Sequence, residues 1–291
     1  MLELERFWRS CMHFGVDIWL FYPRYSVGQA LESVEKAGFK YIEYPYEYFR
    51  DYKEYELETR VKEIAEVAQS YSIEPYQLHA PYGDLCYQLA SSDEEIKERA
   101  TRKLEEWVRY ASILGVSVLV VHFAFTRPHQ RLTYVEAARR VAEINVKLAR
   151  RLSKAGEEYG VKIAFENCVE PWFGASSADI LWLISEVGSD HLGACLDTGH
   201  TNVNRIDVAL AVRQLAHSLI ATHLHDNNSR HDQHYPPLMG TIDWKRVMRS
   251  FKDINYRYPL IFEIPGNWGR SGDINQLELL KIVAQHLNGL V

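Results

Sequence analysis

The chain has 291 residues, 47% apolar and 25% charged, with a formal net charge of −6. Those proportions are ordinary for a globular protein and the length suits one large α/β domain, which excludes disordered, collagen-like and disulfide-stapled classes. No run approaches the roughly 18 apolar residues of a membrane span, and the opening MLELERFWRSCMHFGVDIWLF lacks a secretory core, so a cytoplasmic protein with no membrane contact is expected.

In chain order, apolar or β-branched runs fall at 13–20, 41–44, 76–79, 116–123, 161–165, 192–196, 219–224 and 259–264. Helical periodicity fills the intervals. It runs over 26–38 and 55–71, then from a capping box at Ser92 and Glu95 to Gly115. A second box at Thr133 and Glu136 opens a segment ending near Gly160, and further helices are expected over 177–187, 207–215, 243–251 and 274–287. Eight strand–helix alternations with near-continuous apolar strands predict parallel strands covered by helices. No glycine-rich phosphate turn favours an open doubly wound sheet. The expected fold is a single (β/α)₈ TIM barrel spanning residues 1–291, with no linker or low-complexity stretch.

Metal-seeking side chains recur where these strands give out. The strongest run, ACLDTGH, ends an apolar strand on Asp197 and places His200 three residues on. Taken alone, it reads equally well as an Asp helix cap beside an exposed His. IAFEN closes the fifth strand on Glu166 and LIFEI the eighth on Glu263. A carboxylate ending so apolar a strand is costly unless it meets a cation; one such Glu reads as a structural salt bridge, and two favour metal. In THLHDNNSRHDQHYPPLMG, His223 ends the seventh strand, and Asp232 and His234 follow in a loop stiffened by Pro236 and Pro237. LHAPY and VVHFA add His79 and His122. His225 shares the parity of His223 but is left outside this ligand set, as is His231.

In a parallel barrel all carboxyl strand ends meet at one mouth. The nine side chains His79, His122, Glu166, Asp197, His200, His223, Asp232, His234 and Glu263 are therefore expected to share a site for one to three divalent ions. Imidazole with carboxylate favours Zn²⁺ or Mn²⁺ over Mg²⁺. Trp19, Trp172 and Trp268 are candidate pocket walls, while Glu43 and Asp17 are candidate substrate contacts. Cys11, Cys86, Cys168 and Cys195 are too scattered for a disulfide framework or a CxxC site and are expected to be reduced packing residues.

These motifs resemble the xylose isomerase-like TIM barrels, a superfamily of sugar isomerases and epimerases, an inositol-derivative dehydratase branch and the endonuclease IV enzymes. The likeness runs from HFGVD near residue 13 to FEIPG near residue 265. LHDNNSRHDQHYPPLMGTIDW is especially similar to members described as sugar phosphate isomerase/epimerase proteins. The resemblance implies two alternatives.

In the epimerase pattern, Glu166, Asp197, His223 and Glu263 hold one metal, and Glu166 and Glu263 exchange a proton beside a carbonyl while His200 touches substrate. In the endonuclease IV pattern, all nine residues hold three zincs for phosphoester hydrolysis. The acidic chain and the Tyr-rich loops FYPRYS and PYEYFRDYKEYE depart from the second pattern, and the metal-flanking lysine of a xylose isomerase is not found. The leading expectation is a metal-dependent isomerase or epimerase of a sugar or sugar phosphate. Nucleic acid is disfavoured as a partner without being ruled out, and a homo-oligomer is compatible with the sequence. A non-catalytic barrel with structural metal is the third reading.

Overall fold

The computed structural model describes residues 12–126, 133–170, 172–266 and 273–291. Cys11 and Trp268 lie outside the described residues. Eight parallel strands follow one another around a ring: β1 (Phe14–Asp17), β2 (Tyr41–Tyr44), β3 (Glu74–His79), β4 (Val118–Val121), β5 (Lys162–Glu166), β6 (Leu192–Asp197), β7 (Leu219–His223) and β8 (Leu260–Phe262). From β1 to β7 each strand pairs with the next, and β8 pairs with β1. A parallel bridge between Leu224 and Phe262, with Leu224 N donating to Ile261 O at 2.7 Å, closes the ring between β7 and β8. The TIM barrel expected from the alternation is the fold observed.

The helices on the outside are the expected ones with adjusted ends, together with two short additions, Asp84–Leu89 and Thr198–Val203. Thr133 caps the Tyr134–Tyr159 helix in a reciprocal box with Glu136, as its spacing indicates. At the Glu94–Ile113 helix the expectation fails. Asp93, not Ser92, is the N-cap, and its carboxylate accepts from Glu95 N and Ile96 N at 2.9 and 3.3 Å. A carboxylate one residue nearer the helix outcompetes the hydroxyl and also meets the positive end of the dipole. The first strand is also shorter than its apolar run. Asp17 accepts from Trp19 N at 2.8 Å and starts a 3₁₀ turn, Ile18–Phe21, that ends the strand early.

Two apolar clusters form. The larger fills the layer between strands and helices, and a smaller one of Tyr76, Val118, Val120, Ala164, Cys195, Ile220 and Ala221 is separate from it. The smaller cluster fills the barrel interior, with Tyr76 on β3 donating across it to Ile220 O on β7 at 2.6 Å. Inward residues alternate, so the same parity that sends Ala164 and Cys195 inward sends Glu166 and Asp197 inward one step nearer the mouth. Register shifts beside Tyr76 and Ile220 reset that parity on β3 and β7, which brings Gln77, His79 and His223 into the same layer. Among the described residues no helix is long and apolar enough to cross a membrane.

Candidate metal centre

All nine expected ligands gather at the carboxyl mouth. His223 is at the centre and fully buried. Its Nδ1 lies 2.9 Å from Glu166 Oε1, 3.7 Å from Glu263 Oε2 and 4.0 Å from Asp197 Oδ2. On one flank, Glu166 Oε2 meets His122 Nε2 at 2.9 Å and His79 Nε2 at 3.4 Å. On the other, Asp232 Oδ2 meets His234 Nε2 at 3.0 Å and His200 Nε2 at 3.2 Å. Within each of the groups Glu166–Asp197–His223–Glu263, His79–His122–Glu166 and His200–His225–Asp232–His234, the candidate ligand atoms lie within 4.8 Å of one another. Glu166 belongs to the first two groups and so joins them.

The donor set fits divalent metal on an observation beyond proximity. Glu263 Oε2 is buried without a hydrogen-bond partner, although His223 Nδ1, His225 Nε2 and His234 Nδ1 surround it at 3.7, 3.8 and 3.5 Å. Those gaps are too long for hydrogen bonds. Those to His223 and His234 are close to the roughly 3.4 Å that separates two ligands on one tetrahedral ion with bonds of about 2.1 Å. Asp232 Oδ1 is likewise buried and unsatisfied. Among the described residues, the ion pairs of Glu43, Glu166, Asp197, Asp232 and Glu263 all run to histidines. Packed carboxylates without a fixed cation are a costly arrangement that a metal offsets.

The electrostatics carry the same strain. Burial pushes the Glu263 carboxyl up, and although His223 and His234 oppose this, the charges of Asp197 and Glu166 add to it. Burial acts the same way on Glu166, but His223 and His122 win and hold it well below the usual range. Burial works against protonating His79 and His234. Even so, contacts with Glu166 raise His79 to about 9, and Glu263 with Asp232 raise His234 to about 9.

Local backbone explains the positions. Asp197 accepts from His200 N at 2.6 Å and caps the Thr198–Val203 helix while its other oxygen faces the site. The cap reading of this residue is observed, and its second oxygen lies 2.9 Å from His225 Nε2. Gly199 is required at this turn, because a Cβ there would lie 1.9 Å from the His225 ring. The loop carrying Asp232 and His234 is organised by buried Asp226. Its carboxylate accepts from Asn227 N, Ile242 N and Trp244 Nε1 at 2.9, 3.2 and 2.8 Å, and its backbone bridges Tyr235. His234 itself sits at φ 47°, a left-handed conformation that this over-determined loop imposes.

Sequence reasoning left His225 out, and the structure brings it in. It is fully buried, its Nε2 is 2.9 Å from Asp197 Oδ2, and its ring stacks on His234 with centroids 3.9 Å apart at 17°. An ion bound by an imidazole lies in the ring plane, so two nearly parallel stacked rings do not share one ion. His225 therefore reads as a partner that orients Asp197. The parity of HLH was the available signal.

Asn167 was also missed. It accepts from Asp197 N at 2.8 Å and donates to Asp197 O at 3.1 Å. Trp19 stands edge-on to His234, with centroids 5.4 Å apart. A cavity of ≈ 190 Å³ opens beside Glu166, His122 and His200, walled by Tyr82, Tyr87, Phe125, Cys168 and Glu170. Trp172 is not in that wall and is 44% exposed in the loop beyond it. Glu43 is fully buried against His223 rather than beside the cavity, and Asp17 is buried next to it in the sheet register. His231 is exposed.

The family described as xylose isomerase-like TIM barrel matches residues 31–287, and the chain belongs to it. A D-psicose 3-epimerase of Enterocloster bolteae is 25% identical over 264 residues, covering 79% of this chain and 83% of that protein. A probable endonuclease 4 of Carboxydothermus hydrogenoformans is 28% identical over 145 residues, 49% of this chain and 47% of that protein. The crystal structure of a D-tagatose 3-epimerase-like protein superposes with a TM-score of 0.77 at 24% identity, covering 96% of this chain and 99% of that one.

Proposed function

We propose that the protein is a divalent-metal-dependent isomerase or epimerase acting on a sugar or sugar phosphate. The observation that carries the reading is the convergence of Glu166, Asp197 and Glu263 on His223 Nδ1 at 2.9, 4.0 and 3.7 Å. Those four residues would hold the ion, Zn²⁺ or Mn²⁺ by donor type. When bound, such an ion supplies a Lewis acid that polarises a substrate carbonyl or hydroxyl oxygen. Glu166 and Glu263, on β5 and just after β8, are the carboxylates placed to move a proton at the carbon beside that oxygen. Asp197 and His223 are held by Asn167, His225 and Glu43 and stay fixed while the proton moves. Tyr82, Tyr87 and Phe125 offer apolar faces to a sugar ring and shield the reacting carbon from water. The epimerase relative and fold neighbour agree with this class.

The test is solvent-deuterium incorporation into a panel of ketoses and sugar phosphates by metal-loaded protein. Incorporation next to the carbonyl is the expected result, and none across the panel sinks the reading.

A second reading is a multinuclear phosphoester hydrolase. It is favoured by the flanking groups at His79–His122 and His200–Asp232–His234, which a mononuclear epimerase does not need. Elemental analysis giving two or three ions per chain, with nicking of an abasic-site duplex at low salt, supports it. One ion per chain with no nicking removes it.

A further inference from the structure

We propose that Glu43 is a positioning residue that fixes His223 with its Nδ1 toward the ion, an inference that rests on the metal reading of the mouth. Glu43 is the inward residue of β2 one position before the strand ends, and it is fully buried. Both of its oxygens lie against His223 Nε2, at 3.1 and 3.0 Å. Its Oε2 also accepts from the buried Gln77 amide at 2.9 Å, and the same amide nitrogen donates to Thr222 O at 3.3 Å. Gln77 thus ties the carboxylate to β7, next to the residue it serves.

Glu166 and Glu43 face opposite nitrogens of the ring, and once an ion takes the Nδ1 lone pair the one remaining ring hydrogen lies on Nε2, where the carboxylate of Glu43 accepts it. The Nδ1 lone pair is then left facing Glu166, Asp197 and Glu263, where a cation would sit. A carboxylate behind a ligating histidine both orients the ring and raises its basicity. Asp17, the neighbouring buried carboxylate, does not share this task, since it accepts from Trp19 N at the 3₁₀ turn.

Glu43→Gln is the informative substitution because it keeps the shape. In either orientation of the new amide, its NH₂ meets a donor, the Gln77 amide or the ring N–H. The measurement is ion affinity by competition with a chromogenic chelator, together with the d–d absorption of Co²⁺-loaded protein. Glu43→Gln should weaken Co²⁺ and Zn²⁺ binding by roughly 10- to 100-fold. It should also shift the Co²⁺ bands and lower kcat more than it raises KM, while circular dichroism of the ion-free protein stays unchanged. A purely structural role would lower the melting temperature without moving the Co²⁺ spectrum.

Wild-type protein that binds ions, with Glu43→Gln binding within about twofold of it and with unchanged bands, overturns the proposal alone. Wild-type protein that takes up no ion overturns the metal reading and this proposal with it. Should Glu43→Gln fail to fold, Gln77→Met carries the same test. It leaves both partners in place, removes the steering amide and should weaken binding in the same direction by less, and unchanged binding in that variant overturns the proposal.

Discussion

Two of the candidate ligand groups at the barrel mouth are built by different means. Glu166, Asp197 and His223 end strands and Glu263 directly follows one, so the sheet ladder sets their positions, and Glu43 and His225 hold the side chains of His223 and Asp197. His200 sits on a single helical turn, and Asp232 and His234 on a loop whose shape depends on one carboxylate, Asp226. Strand parity, with the register shift beside Ile220 on β7, specifies the strand-borne set. The loop-borne set exists only while a long-range polar hub survives. Chemistry that demands fixed geometry belongs with the first, and a change of reaction within the family is most easily made through the second.

The contrast can be broken by substitution. The largest effect is expected for Glu166→Gln and Glu263→Gln, each removing a proton carrier from the strand-borne set. Solvent exchange should fall by about 10²–10⁴-fold in variants shown to be folded by circular dichroism, and a variant retaining full exchange would remove that residue from the proton path.

Next, Asp226→Ala leaves three donors without their charged acceptor and should cost about 3–5 kcal/mol in denaturant unfolding. It should release ions bound by Asp232 and His234 before any held by the strand-borne set. Simultaneous loss of all ions would show that the two groups are one unit.

A smaller effect is expected at the seam between them. Gly199→Ala drives a methyl into the His225 ring and should cost about 1–3 kcal/mol, with weaker ion binding through Asp197.

The smallest effect is a pH dependence. In ion-free protein, His79 and His234 are raised from 6.5 to about 9. A raised folded pKa contributes stability that is complete below the unfolded value and is lost as pH rises through the folded one. Ion-free protein should therefore melt a few degrees lower at pH 9 than at pH 6.5, whereas metal-loaded protein, whose ligands are already deprotonated, should not. Parallel melting curves for the two forms would contradict this.

The sequence made the strand-borne set legible for a physical reason. A carboxylate or histidine closing an apolar strand has few other destinations, and parity then dictates which face it takes. IAFE, CLD, ATH and LIFE each carry that signal within four residues. The alternation of eight such runs also made the barrel readable. What stayed hidden depends on contacts distant in sequence. Glu43 shows its role only beside a histidine 180 positions away, and Asp226 only once Trp244 has docked on it. His225 was visible by parity, but nothing local distinguished a partner of Asp197 from a ligand. The Ser92 box failed because two adjacent residues competed for the same amides and the local pattern does not rank them.

The central claim is that the strand-borne set alone performs the reaction. The most direct test is solvent-deuterium incorporation into ketose substrates by the Asp232→Asn/His234→Ala double variant, with bound ions counted in the same preparation. The account expects one ion per chain and exchange close to wild type. Loss of exchange in a folded variant that still holds the ion at Glu166, Asp197, His223 and Glu263 would contradict it.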